Sequence, residues 1–240
     1  MWDMRALELE REIYAATTPS CHNSAVLAKC EVRKQQGLYK EALAELSRVY
    51  TYALSGEQTS TYYTQRALCG YLAGEFDTAL ATIDEAAFYI PRSELLILVE
   101  ALAAGEKGDW QRSERAAKEY LALYPDDTLR TATIEELYRH TPSLRNPMTA
   151  YWLSLLPGLG QFYAGEVWSG VVSLVANGLL GGFAVSEMIV GQWLSGWIVG
   201  CGLLGNTYFV GQERARILTE RRNQRLLRTH NDLLRDALLN

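Results

Sequence analysis

Gly74-Glu75-Phe76-Asp77-Thr78-Ala79-Leu80 is the stretch on which the fold of this chain turns. A glycine, a spacer and an aromatic are followed three residues later by a small side chain. The same arrangement stands at Gly37-Leu38-Tyr39 with Ala42 and at Gly108-Asp109-Trp110 with Ser113, at intervals of 37 and 34 residues. Four residues beyond the small side chain come Leu46, Ile83 or Ala117, and Pro91 and Pro125 close the second and third units. The pattern has a mechanical reading. The glycine ends one helix in a left-handed cap that a Cβ would strain. The aromatic opens the next helix and fills the gap between the two, and the small residue lets the paired helices approach. The proline stops the second helix, because it lacks the N–H that would continue the ladder. A unit of this kind cannot bury its apolar face alone, so it stacks on its neighbours.

Three such units, over roughly residues 23–126, resemble the tetratricopeptide repeat. The match lies mainly in the second half of each unit. The early tryptophan of the family is absent, while Cys30, Ala67 and Ala101 supply its small residue. Helices over about residues 4–16 and 129–140 flank the array as caps. The resemblance implies a protein-binding groove built from the first helix of each unit. By register it holds Leu27, Glu31, Lys34, Thr64, Leu68, Tyr71, Leu98 and Leu102. The Lys/Asn/Arg set with which some family members grip a C-terminal carboxylate is not found at these positions, so an apolar segment is the expected ligand. Leu98 and Leu102 have a second reading, packing on the following cap helix.

Outward from the repeats the composition changes. Residues up to Pro147 carry 16 Lys/Arg and 22 Asp/Glu, whereas residues 148–212 carry no cation at all. A cation at the centre of a membrane helix costs roughly 2.5–3.5 kcal/mol on insertion scales. Their absence over so long a stretch points to a bilayer. Residues 141–147, with two prolines, form a linker. A short apolar segment at 148–156 is followed by two runs, 167–185 and about 189–210, each near the roughly 20 residues a spanning helix needs. Ser186-Glu187-Met188 is the only break between them, and Glu187 is expected in a turn on the far side. Tyr163, Trp168 and Tyr208 mark one interface, Trp193 and Trp197 the other. Two small-residue pairs, Gly178/Gly182 and Gly196/Gly200, allow close helix contact.

The module opens with Pro157-Gly158-Leu159-Gly160-Gln161-Phe162-Tyr163-Ala164-Gly165. This motif resembles the entry to the TM-two domain, a small two-helix membrane hairpin, and the resemblance covers roughly residues 150–211. The Asp-Arg-Phe signature of many members is not present, and no biochemical activity follows from the resemblance. A phosphate-loop reading of the glycines fails, because no Lys-Ser/Thr follows and no strand precedes. The glycines are expected to permit a tight turn at the membrane surface.

From Glu213 onward there are 7 Arg and 4 acids on what reads as one helix, with Ile217, Leu227, Leu234 and Leu238 at helical spacing. Arginines beside a membrane segment mark the cytoplasmic side and attract anionic headgroups. The tail is thus a topology anchor, or a helix that docks on the head or on a second copy. The acidic head argues against nucleic acid. Cys21, Cys30, Cys69 and Cys201 match no zinc spacing and read as small buried thiols. No catalytic motif accompanies His22, His140 and His230, and no cofactor or metal is expected. The first residues run into a charged helix rather than a leader.

The resulting expectation is an all-α chain. Residues 1–140 form a tetratricopeptide-like α-solenoid, 141–147 a linker, 148–212 an interfacial segment and a transmembrane helical hairpin, and 213–240 a basic amphipathic helix. The expected role is a non-catalytic, membrane-anchored adaptor, multi-pass in the cell membrane. Its head is expected in the cytoplasm, or outside it if a leader is missing. The alternative is a subunit of a membrane-protein assembly complex whose hairpin touches partners in the bilayer.

Overall fold

The computed structural model describes residues 2–239, apart from the side chain of Cys201. It is all-helical, and no strand occurs among the described residues. The chain divides into two units. One comprises residues up to Thr141 together with those from His230 on, and the other spans Pro142–Thr229.

The first unit begins with α1 (Trp2–Ala15), α2 (Pro19–Gln35) and α3 (Tyr39–Leu46). A short 3₁₀ turn at Thr51–Ala53 leads to α4 (Gly56–Leu72), α5 (Phe76–Ala86), α6 (Glu94–Lys107), α7 (Trp110–Leu121) and α8 (Thr128–Arg139). Successive helices pack on one another. Gly37, Gly74 and Gly108 adopt φ of +74°, +78° and +72°, and each closes its helix with the same pair of bonds. At Gly74, its own N–H reaches Tyr71 O at 3.0 Å and the next N–H reaches Gly70 O at 2.8 Å. Ala42, Ala79 and Ser113 are fully buried at the close approach of each pair. A Cβ on Gly70 would stand only 3.1 Å from Ala79 N. The prolines act differently from expectation. α5 ends at Ala86 and α7 at Leu121, each in tight turns before Pro91 and Pro125, so neither proline ends its helix; Pro91 opens an irregular link to α6, and Pro125 sits in a further turn closed by Asp127 N on Tyr124 O at 3.2 Å.

α1 is fastened by charge as well as by Ala6, Leu9 and Ile13. Lys29, nearly buried, sits 2.5 Å from both Glu10 and Glu45, and Arg48 reaches Glu10 at 3.0 Å and Glu45 at 2.8 Å. Arg48, then Lys29, hold the Glu10 carboxyl down at about 2. Of the described cysteines, Cys30 and Cys69 are buried 4.0 Å apart, as thiols. Cys21 lies exposed at the start of α2, where the helix turns a polar face outward, contrary to the buried reading.

The second unit holds α9 (Pro147–Leu153), α10 (Leu159–Ala164), α11 (Val167–Ile189) and α12 (Trp193–Trp197). A π-helical stretch at Ile198–Leu204 then leads into the 35-residue α13 (Gly205–Leu239). The turn after α11 falls at Val190-Gly191-Gln192, with Gly191 at φ +86°. Ser186, Glu187 and Met188 therefore belong to the last turn of α11 and not to the break. A glycine that can take the left-handed cap ends this helix, whereas a carboxylate is no obstacle to another turn. The chain then runs back antiparallel to α11, since Gly196 packs on Ala184 and Met188, Leu204 on Gly181, and Thr207 bonds Asn177. Among the described residues only α11 is by itself long and apolar enough to cross a membrane, with 23 residues at a mean hydropathy of 1.5. Only 17% of that apolar window is buried, which is not the burial of a soluble core helix. The second expected span is helical but divided by the π stretch, where Gly200, Gly202 and Gly205 crowd together.

Candidate functional site

The groove residues come from α2, α4 and α6. Leu27 and Leu102 are buried in the core of the first unit. Glu31 pairs with Lys34 at 2.6 Å, accepts from Gln35 at 3.0 Å, and is held below the usual carboxylate range chiefly by Lys34. Thr64, Leu68 and Tyr71 follow along α4, all half-buried, and Leu98 lies half-buried on α6.

Part of this face is occupied by the chain itself. The last turns of α13 place Leu234 and Leu238, both essentially unexposed, in one cluster with Ile97, Leu102, Ile134 and Tyr138. Tyr71 and Leu98 pack against that cluster. Arg235 Nε donates to Tyr71 Oη at 3.3 Å, and its Nη2 reaches Glu106 at 3.2 Å. His230 packs edge-on between Trp110 and Tyr138, at ring centroid distances of 4.6 and 6.1 Å. Burial lowers the His230 pKa. The Tyr138 hydroxyl meets Ser113 Oγ at 2.7 Å, and burial pushes this phenol up to about 12. The polar fit is incomplete: His230 Nε2 and both side-chain polar atoms of Asn231 make no hydrogen bond. So Tyr71, Leu98 and Leu102 share one surface, and it receives a helix. The leucine spacing in the tail was the sequence signal for this seat, but nothing local says where such a face docks.

The Pro157–Gly165 motif makes a tight turn at Pro157-Gly158 and then packs α10 into the second unit. Gly158 has φ +91°. A Cβ there would press on Gly170 O, and one on Gly160 would collide with Ala150 O and Ser154 Oγ and lie 2.8 Å from Ala215 Cβ. Phe162 fills the space that Gly170 leaves, since a Cβ on Gly170 would come within 2.7 Å of that ring. Gln161, 1% exposed, donates from Nε2 to Gly211 O at 3.1 Å. The Tyr163 hydroxyl accepts from Asn146 N at 3.2 Å. Its ring lies under the Arg145 guanidinium, which also donates to Tyr163 O. Pro157 and Gly158 are the two central residues of a turn closed by Leu159 N on Leu156 O at 3.1 Å. The glycines are thus where α10 is pressed against α9, α11 and α13.

The linker is pinned too. Asn223 bonds both the N–H and the C=O of Arg145, at 3.0 and 2.7 Å. Beside it, Arg221, Arg222 and Arg225 with Gly165 and Glu166 line a cavity of about 300 Å³. Among the described residues no group of three His, Cys, Asp or Glu side chains converges as a metal site. His22 lies tilted against Tyr50, ring centroids 4.5 Å apart, and His140 pairs with Glu136 at 3.0 Å. No family model matches this chain, and no curated protein or solved structure matches it either.

Proposed function

We propose that this chain is a non-catalytic adaptor anchored in the cell membrane. Its head is read as a tetratricopeptide-like solenoid, and its second unit as a transmembrane helical hairpin of the TM-two kind. The observation that carries this reading is the face of Tyr71, Leu98 and Leu102, which takes an amphipathic helix through two leucines and an arginine. A protein partner offers the same chemistry to the remainder of that face, over Glu31, Lys34, Thr64 and Leu68, with Leu27 buried beneath it. The exposed apolar surface of α11 supports the anchor, and the cavity lined by Arg221, Arg222 and Arg225 suits anionic headgroups.

One observation favours the second reading, a subunit of a membrane-protein assembly complex. Gly178 and Gly182 face open space, with nothing within 4 Å of an added Cβ, while Gly196 and Gly200 are used within the unit. An open small-residue pair suits another membrane helix.

Purification of the full chain with its bound proteins separates the two. Under the adaptor reading, Leu68→Glu loses the partner and the pair Gly178→Leu/Gly182→Leu keeps it. The opposite result favours the assembly subunit, and retention of the partner by both variants defeats the assignment of these surfaces.

A further inference from the structure

α11 is apolar almost throughout, yet one face carries Ser169, Ser173 and Asn177, one helical turn apart. Thr207, Gly211 and Arg214 of α13 and Gln161 of α10 line the same cavity, of about 190 Å³. A single water needs only about 10–15 Å³ of such space, so the cavity has room for a larger group.

One end is satisfied within the protein. Asn177 Nδ2 donates to Ser173 O at 2.8 Å, and Thr207 Oγ1 donates to Asn177 Oδ1 at 3.1 Å. The other end is not. The bond from Gln161 Nε2 to Gly211 O fixes that amide and leaves Oε1 buried without a donor. Ser169 Oγ is likewise buried and unbonded. Arg214 is free of carboxylates among the described residues, because its neighbours Glu213 and Glu220 are both taken by Arg216.

A cation and a hydroxyl donor together recognise a phosphate. A buried acceptor with no donor costs stability unless a ligand supplies one. A phosphodiester that bears an O–H or N–H group answers both demands at once. Val172 and Val210 line the same cavity and are about half exposed, at 49% and 58%, which offers an apolar continuation for acyl chains. We propose that this cavity binds the head of a glycerophospholipid, with the phosphate on Arg214 and Ser169 and the headgroup donor on Gln161 Oε1. The inference rests on reading this unit as a membrane module.

The test is lipid binding to the full chain in detergent micelles, read by native mass spectrometry. The probes are phosphatidylglycerol, phosphatidylethanolamine, phosphatidylcholine, diacylglycerol and free glycerol phosphate. Phosphatidylcholine has the phosphate but no donor, and diacylglycerol has no phosphate. The glycerol and ethanolamine lipids should bind about tenfold tighter than phosphatidylcholine, the size of one lost hydrogen bond. Arg214→Gln should weaken all phospholipids, and Ser169→Ala should do so without touching the fold. Gln161→Met, if it melts normally, should erase the preference over phosphatidylcholine. Equal binding of the three phospholipids, unchanged binding by Arg214→Gln, or glycerol phosphate binding as tightly as the lipids overturns the proposal. Binding in micelles does not require membrane residence. A chain that discriminates headgroups yet washes off membranes in carbonate therefore sinks the anchor, and a retained chain with no discrimination sinks the lipid site.

Discussion

Gly160 has no room for one added methyl. The nearest obstacles include the carbonyl of Ala150, which is backbone and cannot swing aside. Gly160→Ala should therefore destabilise the second unit by about 1–3 kcal/mol, the usual cost of overpacking. Gly178 is the control, because nothing stands within 4 Å of its Cβ position. Gly178→Ala should leave the melting temperature in detergent unchanged or raise it, since alanine favours the helix by up to about 1 kcal/mol. Equal effects at the two sites would mean that α10 is not clamped as described. Glu10 gives a residue-scale prediction for the first unit. Its carboxyl ionises at about 2 in the fold against 4.5 ordinarily, because Arg48 and Lys29 favour the charged form. The unfolded chain therefore takes up its proton first as pH falls. The contribution of Glu10 is whole above pH 4.5 and is lost as pH drops toward 2. Glu10→Gln should lower the neutral-pH melting temperature and flatten the acid limb over that window. An acid limb identical to that of the parent would remove Glu10 from the account.

The element whose behaviour is least evident from local pattern is the end of α13. Leu234 and Leu238 are buried among α6, α7 and α8, so Leu234→Ala should cost about 2–5 kcal/mol of docking. Docking should also depend on pH. Burial lowers the pKa of His230, so the released helix binds a proton more readily than the docked one. Docking is strongest above the ordinary histidine range near 6.5 and weakens as pH falls through it. Trp110 and Tyr138 face the ring, and Glu136 and His140 of α8 line the adjoining cavity, with Asp232 and Arg235 two and five residues further along α13. Protection factors at residues 230–239, that is, hydrogen exchange corrected for the intrinsic slowing of amide exchange in acid, should therefore fall between pH 7.5 and 5.5, and His230→Leu should remove most of that dependence. Protection factors that ignore pH would mean the ring titrates without leaving its seat. Such docking shows where sequence reading stops. The left-handed caps at Gly37, Gly74 and Gly108 were legible, because the demand for glycine is local. The site of the α11 turn was misplaced because a charged residue was weighed above Gly191, although capping geometry decides where a helix ends. The packing role of Gly160 and the destination of Leu234 were hidden for the same reason: each depends on which distant helix arrives.

At the scale of the molecule, one fact of packing constrains membrane topology. The residues from His230 on share a compact unit with the residues up to Thr141. Leu234 and Leu238 cannot join Ile97 and Leu102 across a bilayer. If the chain crosses a membrane between Thr141 and His230, it therefore crosses an even number of times. α11 out and the α12–π–α13 stretch back meet this condition. A third crossing through residues 148–165 would tear the C-terminal turns from their seat, and α9 and α10 are in any case short and separated at Pro157-Gly158. The arginines of α13 then set the side, since cations flanking a span stay in the cytoplasm. Head and tail are both expected there. Cys21 is exposed and serves as the reporter for the head, while Cys30 and Cys69 are buried and silent. Leu239→Cys, at a position 55% exposed, reports on the tail, with Cys201→Ala removing the remaining thiol. Neither reporter should react with an impermeant maleimide in intact cells, and both should react once the membrane is opened. Labelling of both from outside would reverse the orientation and keep the even count. Labelling of one alone would mean an odd number of crossings, and with it the loss of the shared unit.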